Sequence, residues 1–285
     1  MSTSFVTQVW QAPKALTKTL IDGKDIHALV LIGEAGLGKS FQTYQNLVGF
    51  GLKPEKDFVI LKNTATDAGL YEYLWQHNGK IIVLDDMMAF FQNDAIRGML
   101  MSALAPEGNG KRYISRQNMK VIRHSENGFE IPKRFEFTGK MIFLANYMPE
   151  DEAWFKPFYN RCIPYKFDLN FDEKVRYFRE IGQKREVPKA VMDFVFANVD
   201  DTFDNFSFRT IQMVNQFYQT NKEGWQLMGK SILRYNPEVK LVKELLKSGL
   251  STDSQIARFK AETGKSRATF FRIKSEFGHM WRRKA

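Results

Sequence analysis

Strand-length apolar blocks separated by stretches of helical period organise the first part of the chain. The blocks are "HALVLIG", "DFVILKN", "KIIVLDD", "GKMIFLANY" and "CIPYKFDL", rich in Val and Ile and mostly apolar at successive positions. Such runs suit strands buried on both faces, and their alternation with helical stretches over 27–167 predicts an α/β fold, a parallel five-stranded sheet with helices on both faces. Residues 1–26 read as an N-terminal linker or helix. Over 168–235 the pattern changes: "FDEKVRYFREIG", "VPKAVMDFVFANV" and "SFRTIQMVNQFYQ" bring apolar residues round every three or four positions, which predicts an all-helical region.

The last segment, 236–285, reads as three further helices. Asn236-Pro237 opens the first, which carries Val239, Leu241, Val242, Leu245 and Leu246 on one face and closes at Gly249. Ser251 or Thr252 caps the second, with Ile256, Ala257 and Phe259 facing inward. Gly264 breaks the chain, and Ser266 caps a third helix that offers Phe270, Phe271, Ile273 and Phe277 to a core.

Charge changes the picture. The chain of 285 residues has a formal net charge of +10, and +7 of it lies in residues 237–285. That balance favours a polyanionic partner, and with no long apolar span or lipidation signal the partner is nucleic acid before membrane. Cys162 is the only cysteine, and His27, His77, His124 and His279 lie far apart, so neither an internal disulfide nor a structural metal is expected. The opening "MSTSFVTQVWQAPK" lacks the apolar stretch of a secretory signal, which predicts a soluble, cytoplasmic protein.

Candidate chemistry follows the first strand block. Gly33, Glu34, Ala35, Gly36, Leu37, Gly38, Lys39 and Ser40 match G-x-x-x-x-G-K-[ST], and the contact extends to Phe41. Glycines there let backbone N–H groups turn inward around a phosphate, Lys39 reaches the β- and γ-phosphates, and the Ser40 hydroxyl ligates Mg²⁺. The partner motif is "KIIVLDDMM": Asp85, at the carboxyl end of its strand, would hold the Mg²⁺ shell, and Asp86 would orient or deprotonate an attacking water. Each motif alone also fits a blander role, a glycine-rich turn or a helix cap. The two together specify a nucleoside triphosphate.

The order of motifs over roughly 27–235 resembles that of AAA+ ATPases, with ATP and Mg²⁺ as ligands. The resemblance implies that Asn146, ending "GKMIFLANY", holds the lytic water near the γ-phosphate. It implies that Arg161 in "FYNRCIPYKF", similar to the "SRC" element of clamp loaders, reaches a neighbouring subunit's nucleotide, and that Arg209 in "FSFRTIQMV" is the lid arginine called sensor 2. The residues by themselves also allow each arginine to lie over apolar surface neighbours. Most of the family carries Asp-Glu where this chain has Asp85-Asp86; replication initiators, helicase loaders and some viral superfamily 3 helicases carry two aspartates. The resemblance implies 27–167 as ATPase core, 168–235 as helical lid, and assembly as a ring, such as a hexamer, or a filament.

Two basic regions remain. Residues 108–137 exceed what a sheet connection needs, and turn signals around Asn109 and Asn127 with β-rich runs between them predict one or two hairpins. Lys111, Arg112, Arg116, Lys120, Arg123, Lys133 and Arg134 make this insertion basic, so it either grips DNA, as hairpins inserted here do in related branches, or uses its charges to protect its edge. Residues 236–285 resemble a helix-turn-helix domain with "SRATFFRIKSEF" as recognition helix, which implies DNA contacts from Lys265, Arg267, Thr269, Arg272 and Lys274. The spacing from Ala257 to Gly264 implies a longer turn than the tight bacterial motif has. A phage-encoded ATPase of DNA replication (initiator, helicase or helicase loader), possessing a replication protein as partner, is the function expected. The alternative is an ATP-controlled DNA-binding switch or scaffold that recruits a partner and does not translocate.

Overall fold

The computed structural model describes residues 3–62, 66–86, 91, 93–116, 128–148, 152–203, 206–233 and 236–278. The chain divides into a sheet unit, residues 10–167, and a helical unit made of 168 onward with the residues before 10.

All five strand blocks form strands of one sheet: β1 (Ala28–Ile32), β2 (Phe58–Lys62), β3 (Ile81–Asp85), β6 (Lys140–Ala145) and β7 (Ile163–Lys166). They are parallel throughout, in the order β2-β3-β6-β1-β7. β1 is buried at every position and β6 from Met141 to Ala145, as expected of strands covered on both faces. One parity of strand residues, among them Val30, Ile82, Leu84, Met141 and Phe143, packs with Leu70, Tyr71 and Leu74 of α3 (Asp67–Gln76) and with Ile96, Leu100 and Ala103 of α4 (Asp94–Leu104). Residues of the opposite parity, Leu29, Leu31, Val83, Ile142 and Leu144, are equally buried.

The N-terminal segment is a helix, α1 (Phe5–Asp22), that buries Trp10, Thr17 and Leu20. Its carboxyl end is held from β6: the Lys140 ammonium donates to the carbonyls of Leu20 (2.7 Å), Ile21 (2.9 Å) and Gly23 (2.7 Å). A cation suits the negative end of a helix, and here it also satisfies carbonyls that the last turn leaves open.

Within the insertion, β4 (Tyr113–Ser115) pairs antiparallel with β5 (Arg134–Glu136), so "KRYIS" and "FEFTG" meet each other. Ile114, Ile131 and Phe137 anchor this ribbon in the sheet unit's core. The run "MKVIR" lies outside the described residues.

In the helical unit, α6 (Phe171–Lys184), α7 (Lys189–Ala197) and α8 (Phe208–Thr220) fall on the three predicted stretches. Asn170 and Glu173 form a reciprocal cap on α6. A fourth helix, α9 (Trp225–Ile232), was not anticipated from sequence. It carries a glycine in mid-helix, a weak helical signal, yet a Cβ built on Gly229 would stand 2.6 Å from the Phe194 ring, so the glycine permits close approach to α7.

The last three helices are α10 (Pro237–Lys247), α11 (Thr252–Thr263) and α12 (Arg267–Phe277), capped by Asn236, Ser251 and Ser266. They share a core of Val239, Val242, Leu245, Ile256, Phe259, Phe270 and Ile273. Two expected core residues are not in it. Ala257 is exposed, and Gln255 is buried in its stead, donating its amide N–H to the Leu250 carbonyl at 2.8 Å; Phe271 is 37% exposed. The Phe277 side chain lies outside the description.

Candidate nucleotide-binding site

Parallel pairing brings three strand ends to one edge of the sheet. Ile32 stands opposite Ala145, and Asp85 opposite Leu144, so the chain leaves β1, β3 and β6 at nearly the same level. Gly33 continues β1's ladder, its N–H donating to the Ala145 carbonyl at 3.0 Å. From there the loop turns into α2 (Lys39–Gly49).

Glycine is required at two loop positions by backbone conformation, since Gly36 and Gly38 have φ of 81° and 83°. Gly33 is required for space: a Cβ there would approach the Phe167 Cβ to 2.9 Å. Gly38 caps α2 with no side-chain hydrogen bond, which leaves the first N–H groups of the helix turned toward the loop. Leu37 is buried, and so wedges the loop against the core.

Lys39 is 8% exposed, an unusual burial for a lysine. Its ammonium donates to the carbonyls of Gly33 (2.5 Å) and Glu34 (2.8 Å) and to Asn146 Oδ1 (3.0 Å). Lysine and asparagine, 107 positions apart in the chain, thus share one site. Three donors on a rotatable ammonium let it exchange these acceptors for phosphate oxygens without leaving the loop. Asp85 is half-buried at the end of β3; Asp86 follows it, exposed, with a left-handed φ of 64°. Among non-glycine residues, Asp and Asn tolerate that conformation best.

A magnesium ion at this edge would be held by the Ser40 hydroxyl, in the first turn of α2, and by the Asp85 carboxylate. These are hard oxygen donors of the kind Mg²⁺ takes alongside phosphate and water, so the residues present fit the ion. Among the described residues no group of three His, Cys, Asp or Glu side chains could hold a metal by itself. Tyr147, one residue past Asn146, is 61% exposed.

Arg161 lies elsewhere. It follows α5 (Phe155–Tyr159) and precedes β7, whose first residue pairs with Leu29, so it stands near the sheet edge opposite the glycine loop. At about 3.3 Å per strand residue, the four positions from Leu29 to Gly33 alone put Ile163 about 13 Å from the level of the loop. The Arg161 side chain is exposed and donates to the Pro157 carbonyl at 2.5 Å. Arg209 is exposed on the first turn of α8, in the helical unit.

The insertion's cations have mixed fates. Arg112 is 6% exposed, so its expected place on a DNA-facing surface is corrected. Its guanidinium donates to the carbonyls of Ala103 (2.8 Å) and Gly139 (2.9 Å) and lies over the Phe137 ring at 5.4 Å, while burial lowers its pKa to about 10. Arg112→Met is therefore expected to lower stability by about 2–5 kcal/mol, because two buried carbonyls lose their donor, and to leave DNA affinity unchanged. Thermal unfolding alongside a binding titration measures both. Lys111 pairs with Glu136 at 2.7 Å and Arg134 with Glu107 at 2.7 Å; Arg134 also covers the Tyr113 ring at 4.0 Å. Arg116 is half-buried, and Lys120 and Arg123 lie outside the described residues. On the last helices Lys265, Arg267 and Arg272 are exposed, and Thr269 and Lys274 are half-buried.

No protein-family model matches the chain. An uncharacterised 36.7 kDa protein from the nrdC-mobD intergenic region of Enterobacteria phage T4 is 22% identical over 232 residues, covering 74% of this chain and 69% of its own length. Among solved structures, the Thermotoga maritima RuvB Holliday junction branch migration motor matches with a TM-score of 0.53 at 12% identity, over 95% of this chain and 85% of that one. A further structure of the same T. maritima protein gives a TM-score of 0.52 at 13% identity, over 94% and 84%. These likenesses establish a shared α/β fold. Among the described residues no helix is long and apolar enough to cross a membrane.

Proposed function

We propose that this chain is an ATP-hydrolysing AAA+ protein that assembles through its nucleotide and acts on DNA in replication or recombination. The observation that carries the reading is the buried Lys39, joined to Asn146 beneath a left-handed glycine loop with Asp85 at the same strand edge. The Lys39 ammonium binds the β- and γ-phosphates, and the N–H groups at the start of α2 face them. Asn146 positions the attacking water, and Asp86 takes its proton as it adds to the γ-phosphorus and the ADP oxygen leaves. Arg209 acts from the helical region as a lid arginine. The branch migration motor that shares this fold, and the +7 charge of the last 49 residues, support DNA as the polymer acted on.

Arg161, near the edge of the sheet opposite the glycine loop, acts in a neighbour's site, where it neutralises charge on the transferred phosphoryl group. Arg161→Ala is expected to cut turnover about 10³-fold or more while ATP binding holds within about twofold. Mixing that variant with Lys39→Ala should restore part of the activity, because each supplies what the other lacks at a shared site. Full turnover by an isolated Arg161→Ala protomer would remove the assembly model.

A second reading, the ATP-controlled DNA-binding switch, is favoured by the insertion: Arg112 is buried and Lys111 and Arg134 are already paired with carboxylates, which weakens the ribbon as a DNA grip. The three-helix segment at the C-terminus then carries the DNA contact, as a helix-turn-helix. ATP-dependent strand displacement on a forked duplex, with size analysis of the assembly in parallel, separates motor from switch. Displacement supports the motor; ATP-dependent assembly on DNA without displacement supports the switch; neither nucleotide binding nor DNA binding would dismiss both.

A further inference from the structure

The helix α12 carries an exposed aromatic that its core does not use. Phe270 and Ile273 are fully buried, whereas Phe271 points away at 37% exposure. Two cations of the same helix flank its ring: the Arg267 guanidinium carbon lies 5.4 Å from the centroid and the Lys274 ammonium 5.9 Å. Arg267, Phe271 and Lys274 stand four and three residues apart, so they form one row along the helix. Arg272 is exposed beside it, and Lys265 just before the helix.

An apolar ring in such a setting is a poor match for another protein's apolar surface, because burying it would also strip water from flanking cations with no counter-charge supplied. A DNA duplex supplies both halves. Its phosphates border the groove on either side, and in the major groove, wide enough for a helix, each thymine offers an apolar C5-methyl among the hydrogen-bonding base edges. Among the described residues Arg267 meets Asp253 only at 3.7 Å, with both side chains largely exposed.

We infer that Phe271 is a base-reading residue that packs on the C5-methyl of a thymine in the major groove, with Arg267 and Lys274 holding the phosphates on either side of it. The inference rests on the reading of the C-terminal helices as a duplex-binding unit. It makes Phe271 a determinant of sequence specificity and the cations around it determinants of overall affinity and salt dependence.

The experiment uses the full chain. Duplexes are selected from a random library, and the selected site is resynthesised with each thymine replaced in turn by deoxyuridine, which removes only the methyl group. For wild type, one replacement is expected to weaken binding about fourfold, the worth of one buried methyl-sized group. In Phe271→Ala that penalty should vanish and the preference for thymine at that position should be lost, while the slope of affinity against salt stays the same. Arg267→Ala and Lys274→Ala should instead weaken all duplexes alike and reduce the slope. The inference is overturned if no thymine methyl matters to wild type, a result independent of how any variant folds, or if Phe271→Ala retains the penalty. In both cases the duplex-binding reading survives so long as the cation variants lose affinity. Should those variants bind DNA as wild type does, that reading falls too, and the inference with it.

Discussion

Lys39→Ala is expected to abolish measurable ATP turnover and to weaken ATP binding at least about 100-fold. The size follows from what the ammonium does. Each charge-assisted hydrogen bond is worth about 1.5–3 kcal/mol, and on the proposed reading Lys39 would make such bonds to two phosphates. No other cation described at the loop occupies its place, since Arg161 lies at the far edge of the sheet and Lys140 is engaged by the end of α1. The effect on folding should be far smaller, because the carbonyls of Gly33 and Glu34 released by the substitution lie at the rim of an open loop, where water can replace the ammonium. Equilibrium titration with a fluorescent ATP analogue, with thermal unfolding as control, tests this. Wild-type affinity in the variant would mean that the loop is not the phosphate site. A large loss of stability would mean that Lys39 is chiefly a structural brace.

Asp86→Asn is expected to lower turnover about 10²–10⁴-fold, the usual worth of a positioned general base, with ATP binding unchanged. The backbone makes this substitution unusually clean. At a φ of 64° most side chains are strained, but Asn accepts the left-handed region as readily as Asp does, so shape is kept and only the carboxylate is lost. Aspartate is among the non-glycine residues most at ease in this conformation, which gives a physical reason for aspartate here in place of the glutamate more common in the ATPases whose motifs this chain resembles. Asp86→Glu should accordingly lower stability without raising turnover above wild type. Single-turnover kinetics with prebound ATP would check the first expectation. A variant Asp86→Asn that hydrolyses at the wild-type rate would transfer the role of base to another group.

The parts of this protein legible in the sequence are those whose cause is local. An apolar block such as "ALVLI" forms a strand wherever it is buried, and Gly36 and Gly38 carry their conformational meaning in their own spacing. Caps were legible for the same reason: Asn236, Ser251 and Ser266 each accept a hydrogen bond from a backbone N–H two or three residues on. Arg112 shows the limit. Among Lys111, Arg116 and Lys133 it reads as one more surface cation, and only the arrival of the Ala103 and Gly139 carbonyls from outside the ribbon makes its burial favourable. The pairing of Lys111 with Glu136 and of Arg134 with Glu107 was hidden likewise, because the carboxylates lie 25 and 27 residues away and cross-strand register decides which charges meet. Ala257 and Phe271 each follow a buried residue, Ile256 and Phe270, and were misplaced by about 100° of rotation, one residue's worth, which periodicity cannot resolve when alanine or phenylalanine fits either side of a small helix.

By itself, then, the sequence determined the strand blocks, the glycine loop and the concentration of positive charge at the C-terminus, since each depends on neighbours within a few residues. Tertiary structure decided the order of strands. By setting β1 between β6 and β7 it brought Asn146 to Lys39 and left Arg161 at the other edge. Parallel strands meet only through long crossovers, so their order is a property of how whole helices pack on the sheet, and no short stretch of chain encodes it.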